Sequence, residues 1–162
     1  MEDGEWGGVG VEWGRRKWVG EELCVKTPGR MEGYCARAEL TKQKKRDGWI
    51  ATGDTARIVQ GRLYILGRKD DMIIRSGMNI YPSEVERLLC QCEGVEECIA
   101  YGKPDPLSGE RVAVDDSGTC SREELMTYAV MHLPAYLVPR EYHRLSELAR
   151  TERGKPRRRK GE

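Results

Sequence analysis

Gly67–Arg87, GRKDDMIIRSGMNIYPSEVER, decides how the rest of the chain is read, because one short run holds a charged joint, a hairpin and a helix start. Ile65 and Leu66 close an apolar run, and Gly67-Arg68-Lys69-Asp70-Asp71 interrupts it with charge that is costly to bury unpaired. That segment reads as a surface joint. Met72-Ile73-Ile74 is strand-like, Ser76-Gly77 can turn the chain and Asn79-Ile80-Tyr81 can return it. Pro82 suits the first position of a helix, and Glu84 and Glu86 favour its positive end. Val85, Leu88, Leu89 and Cys92 then fall at i, i+3, i+4 and i+7, one apolar face, before Glu93-Gly94 ends the helix.

Working outward, Thr55–Leu66 has apolar runs on either side of Gln60-Gly61 and predicts a hairpin with a two-residue turn. Upstream, Glu21–Lys26 alternates as a strand and Thr27-Pro28-Gly29 stops it, while 36–46 reads as a polar helix or loop. Residues 1–20 mix Trp6, Trp13 and Trp18 with Gly and charge and have no clean period. Downstream, Val95–Tyr101 is a predicted strand ended by Gly102–Pro106, and Gly109–Val114 is a second, expected to stop where Asp115-Asp116-Ser117-Gly118 turns away. Ser121-Arg122-Glu123-Glu124 is a capping-box pattern opening a helix to about Leu133, on which His132 reads as a packed or partly exposed residue, not a base. The prolines of Leu133–Pro139 enforce extended chain, and Glu141–Leu145 is the last predicted strand.

The joint and hairpin at Gly67–Arg87 resemble the hinge motif of the adenylate-forming ligase superfamily, which includes acyl-CoA synthetases, peptide-synthetase adenylation domains and luciferases. The flanking segments are similar as well. Met31-Glu32-Gly33-Tyr34 resembles that family's M-x-G-Y, Asp47–Asp54 its D-G-W-x-x-T-G-D and Gly102–Asp105 its G-x-P-D. Leu133–Pro139 resembles L-P-x-Y-x-x-P, and Thr151–Lys155 the terminal T-x-x-G-K.

The resemblance implies roles for particular residues. Asp70 would be the pivot of a swinging C-terminal domain, and the hairpin around Gly77 would face the thiol. Asp54 would hold the ribose hydroxyls of ATP, since one carboxylate can accept from two adjacent hydroxyl donors; read from the residues alone, Thr52-Gly53-Asp54 is simply a turn between strands. Arg68 would contact ribose and phosphate with its permanently charged fork of donors. Lys155 would stabilise the charge that grows on the α-phosphate during adenylation; from the tail alone it is one base among several. The substrates so implied are Mg-ATP, a small carboxylic acid, and CoA or a phosphopantetheine thiol.

The expected fold class is α+β: a small C-terminal domain with a short central β-sheet flanked by helices plus a β-hairpin, preceded by a β-rich fragment of an incomplete barrel subdomain. The boundary is placed between residues 66 and 67, with 1–66 the end of the large ATP- and acid-binding domain and 67–162 the mobile domain. These 162 residues hold no Ser/Thr/Gly-rich phosphate loop ending in Lys and no Y-G-x-T-E segment. Activity is therefore expected only with an N-terminal adenylation domain or subunit. The alternative is a truncated, non-catalytic module that docks a carrier protein or an intact ligase.

Composition limits the other classes. Charged residues make up 34% and mean hydropathy is −0.68, and no apolar run approaches the roughly 20 residues that span a bilayer. The start, MEDGEWGG, lacks the basic and apolar regions of a secretory signal. A cytoplasmic protein is expected. Six cysteines without CxxC spacing, and only His132 and His143 as companions, give no zinc pattern, so no metal ligands are assigned and the thiols are read as small hydrophobes. Basic residues gather at 150–160, but without interleaved aromatics they do not favour specific nucleic-acid binding.

Overall fold

The computed structural model describes residues 16–19, 22–29, 31–60, 62–152, 154 and 156–159. Its contacts divide the chain into two compact units, Met1–Asp70 and Asp71–Glu162. The described residues form a mixed α+β structure with three α-helices and two open, mainly antiparallel sheets. Among the described residues no helix is long and apolar enough to cross a membrane.

The first unit is a five-stranded sheet built on one long strand. Its elements are β1 (Arg16–Val19), β2 (Glu22–Val25), α1 (Ala38–Lys44), β3 (Lys45–Arg46), β4 (Trp49–Val59) and β5 (Arg62–Arg68). β2 pairs with one edge of β4 and β1 with β2; β3 and β5 also pair with β4. Asp47 (φ 51°) and Gly48 (φ 79°) close the β3–β4 hairpin, the Asp-Gly pair that a two-residue turn with positive φ favours. Val59 pairs with Arg62, as the expected two-residue turn requires; Gln60 has φ 49°, and Gly61 lies outside the described residues. Among the described residues this unit's buried apolar side chains fall in small clusters, Leu23 and Ala56 in one and Cys24, Trp49 and Ala51 in another. The Trp-rich stretch at 1–15 lies outside the described residues.

The second unit opens with the hairpin β6 (Ile73–Arg75) and β7 (Met78–Ile80), whose turn places Ser76 and Gly77 at φ 50° and 78°. Helix α2 (Pro82–Leu89) follows with Pro82 in its first turn, then β8 (Val95–Asp105), β9 (Gly109–Gly118), α3 (Arg122–His132) and β10 (Glu141–Arg144). β9 is the centre. β8 pairs along its whole length antiparallel, β10 pairs parallel, and β6 attaches at Arg75↔Gly109. The helices cover one face, burying Val85, Leu89, Val112, Val114, Leu125 and Leu137 in one cluster. Ser121 caps α3: its hydroxyl accepts from Glu124 N–H and Glu124 returns a bond to the Ser121 N–H. His132 is exposed and stacks on Tyr128.

The central sheet is not short, which corrects the expectation from Asp115–Gly118. β9 continues through all four of these residues, and Asp115 and Asp116 are 4% and 2% exposed. Their charges are compensated from the far end of the chain. Arg144 Nε contacts Asp116 Oδ2 at 2.5 Å; Tyr101 donates to Asp115 Oδ1 at 2.8 Å, and Arg159 Nε meets its other oxygen at 2.8 Å. β8 likewise runs past Gly102 to Asp105, with Pro104 on an edge strand where a missing donor is tolerated.

Candidate functional site

Thr52-Gly53-Asp54, expected as a turn, is instead a bulge inside β4, because β2 partners jump from Thr55 at Glu22 to Ala51 at Cys24. Gly53 takes φ 77°, a conformation that suits glycine. The bulge is held from three sides. Thr52 donates its hydroxyl to Leu23 O at 2.8 Å, Asp54 N–H donates to Thr52 Oγ1 at 3.1 Å and Gly53 N–H donates to Glu22 Oε1 at 2.9 Å. Glu22 is in turn flanked by Lys69 at 3.2 Å and Lys44 at 3.7 Å.

This framework brings Asp54 and Arg68 together as register partners on β4 and β5. Arg68 Nη1 donates to Asp54 Oδ1 and to Thr52 O, each at 3.1 Å, while the two side chains keep 52% and 32% of their surface exposed. A partly exposed carboxylate beside a guanidinium fits a ligand with paired hydroxyls next to an anionic group, since each can make further bonds. A Cβ on Gly53 would lie 2.8 Å from Arg68 Nη2. Gly53→Ala is therefore expected to displace Arg68 from Asp54 and, through its positive φ, to cost about 1–2 kcal/mol; the shift in urea midpoint measures it.

The remaining candidates lie elsewhere. Asp70 is exposed, in a 3₁₀ turn over Lys69–Asp71 that straddles the division between the units. Gly77 forms the tip of the β6–β7 hairpin with open space around it. Below that tip, Arg75 Nη1 donates to Tyr136 O at 2.8 Å and Val138 O at 3.3 Å, tying the hairpin to the Leu133–Pro139 segment.

Lys155 lies outside the described residues, but the chain on either side of it is fixed. Arg150 and Pro156 bridge, Arg157 N–H donates to Ala149 O at 2.7 Å and Gly154 N–H to Thr151 O at 2.8 Å. Arg150 also grips both oxygens of Glu97, at 2.7 and 2.8 Å. Beyond Pro156, Arg158 meets both oxygens of Glu86 at 2.9 Å and Asp71 at 2.9 Å. These arginines, part of the basic run at 150–160, are structural anchors. Only the scatter of acids through the second unit, Asp71, Glu86, Glu97 and Asp115, signals them in advance.

Comparison with known proteins shows the family to which the chain belongs. Residues 84–155 match the family described as AMP-binding enzyme C-terminal domain. The chain belongs to the AMP-binding, adenylate-forming ligase superfamily, of which it carries the C-terminal portion. The long-chain-fatty-acid–CoA ligase of Salmonella typhimurium is 41% identical over 138 residues, which is 83% of this chain and 25% of that ligase. The 2-succinylbenzoate–CoA ligase of Oceanobacillus iheyensis is 37% identical over 137 residues, 83% of this chain and 28% of that ligase. Among solved structures, the o-succinylbenzoate CoA synthetase of Bacillus subtilis in complex with its acyl-adenylate intermediate superposes with a TM-score of 0.78 at 33% identity, over 87% of this chain and 31% of that one. The chain thus spans about a quarter of the length of the curated ligases it matches.

Proposed function

We propose that this chain supplies the C-terminal part of an ATP-dependent acid–thiol ligase of the acyl-CoA synthetase kind, working in the cytoplasm. The observation that carries the reading is the exposed Asp54–Arg68 pair on its braced bulge. On this reading Asp54 accepts from the ribose hydroxyls of ATP, Arg68 contacts ribose and phosphate, and Lys155 stabilises the charge built up as a carboxylate displaces pyrophosphate. Rotation about Asp70 then exchanges Lys155 for the hairpin at Gly77, which admits CoA or a phosphopantetheine thiol to form the thioester. Mg2+ belongs with ATP and is held mainly by the N-terminal adenylation domain or subunit that the reaction requires; residues 1–66 are the end of that larger domain.

The second reading, a non-catalytic module that docks a carrier protein or an intact ligase, is favoured by the apolar side chains of α3 left open to solvent, Met126, Val130 and Met131 at 43%, 68% and 74% exposure. One experiment separates the two. The 162-residue chain alone is expected to show no acid-dependent pyrophosphate exchange, and exchange is expected when the N-terminal part of a relative is added, with loss again in Asp54→Ala. Exchange by the chain alone, or full activity of the Asp54 variant, would contradict the proposal.

A further inference from the structure

Four of the six cysteines, Cys90, Cys92, Cys98 and Cys120, lie where the end of α2 meets β8 and the start of α3, and they form two pairs of different character. Cys92 Sγ and Cys120 Sγ are 3.6 Å apart and buried at 8% and 4% exposure. Burial pushes Cys92 up to about 11, so its thiol stays protonated and fills space beside Cys120.

The other pair is open on one side. Glu86 accepts from the Ala100 N–H at 2.9 Å, which fixes the register of α2 on β8. One helical turn beyond Glu86 is Cys90, and two residues back from Ala100, on the same face of the strand, is Cys98. Four helical residues advance about 6 Å and two strand residues about 6.7 Å, so this register lays Cys90 against Cys98. The Cys90 N–H donates to Glu86 O at 2.9 Å, which keeps Cys90 in helical register with Glu86. Cys90 is exposed, whereas Cys98 is 8% exposed.

The hydrogen bond from the Cys98 thiol leads in lowering Cys90 to about 7, against the opposing effects of burial and of Glu86 and Glu97. Its partnership with Cys90, then burial, pushes Cys98 far up. The reachable sulfur of the pair is therefore the one whose pKa is lowered, and the shielded sulfur the one whose pKa is raised.

We propose that Cys90 and Cys98 are a redox-active pair, a modification site for hydroperoxides that closes to a disulfide between α2 and β8. The Cys90 thiolate attacks one peroxide oxygen, the O–O bond breaks, and a sulfenic acid and hydroxide (then water) result. The Cys98 sulfur then displaces the sulfenic oxygen as hydroxide, which takes up the Cys98 proton and leaves as water. In total two thiols and one hydrogen peroxide give one disulfide and two waters; both sulfurs are oxidised and the peroxide is reduced. The pair sits one turn from Glu86, the carboxylate that anchors Arg158, so closure would lock the helix end that holds the C-terminal segment. This inference does not depend on the ligase reading.

The test treats the reduced chain with hydrogen peroxide, blocks remaining thiols with N-ethylmaleimide, and digests with glutamyl endopeptidase, which cuts after Glu93 and Glu97 and so separates Cys90 from Cys98. The expected product is a pair of peptides joined through Cys90 and Cys98, assigned against Cys92 by fragmentation. In Cys98→Ser, Cys90 is expected to persist as a sulfenic acid trapped by dimedone. In Cys90→Ser, an exposed change checked by an unaltered far-ultraviolet spectrum, Cys98 is expected to remain alkylated. Peroxide treatment that leaves both thiols alkylated, or that joins Cys90 only to Cys92 or to Cys35 of a second molecule, would overturn the proposal.

Discussion

In a chimera where this chain replaces the matching C-terminal quarter of the Salmonella typhimurium ligase, Lys155→Ala is expected to lower acid-dependent pyrophosphate exchange by about 10²–10³-fold. Thioester formation from a supplied acyl-adenylate should be largely retained. The reason is the timing of charge. Negative charge grows on the α-phosphate oxygens only while the acid attacks, and an ammonium fixed there before the reaction stabilises that state without reorganising at the moment of transfer. Lys155 is flanked by anchored chain, with Gly154 at φ 74° on one side and the Arg150–Glu97 and Arg158–Glu86 contacts bracketing the segment. Lys155→Arg should recover little, because a planar fork does not place its charge where a compact ammonium does. Equal loss in both half-reactions would instead point to a folding role for this residue and remove it from the proposed chemistry.

What the sequence made legible was local chemistry. Ser76-Gly77 between two strand-like triplets, Pro82 ahead of an acidic first turn, and Ser121 with Glu124 each specify geometry within a few residues, and the structure forms all three as expected. What stayed hidden depended on partners far along the chain. Asp115 and Asp116 look like residues that end a strand, because a carboxylate without a partner stays in water; Arg159 and Arg144 supply those partners, and β9 continues. The same holds at the candidate site. The order Thr-Gly-Asp reads as a turn, and only the pairing of Glu22 and Cys24 across it shows a bulge. The two-residue turn of the β4–β5 hairpin was legible, but its register alone would set Asp54 opposite Gly67; a one-residue shift between Thr55 and Ala56, invisible in the sequence, sets it opposite Arg68. The redox pair needed still more: the spacing of Cys90 and Cys98 means nothing until Glu86 fixes helix against strand.

Arg144→Ala is expected to destabilise the second unit by about 3 kcal/mol at neutral pH, the scale for stripping a buried charge of its partner. Arg144 contacts Asp116, whose side chain is 3% exposed, and donates through Nη1 to Gly118 O at 2.8 Å. Its loss leaves a carboxylate in the sheet core and a carbonyl without that donor. The pH dependence follows from the direction of the Asp116 shift. Burial already raises its pKa against the opposing pull of Arg144, and removing the arginine raises it further. A folded pKa above the unfolded value, about 3.9 for Asp, means that the protonated form favours folding, so the variant loses stability as pH rises from about 4 through that raised value and changes little above it. The gap between variant and wild type should accordingly narrow in acid, where Asp116 is neutral in the fold. Adding Asp116→Asn to Arg144→Ala should recover much of the loss at neutral pH, since a neutral amide is far cheaper to bury than a lone carboxylate. Urea unfolding at pH 5 and pH 7 reads all of this directly. A loss below about 1 kcal/mol at neutral pH, the scale of an exposed pair, would mean that Asp116 finds water or another cation and that β9 does not need Arg144 to run past Val114.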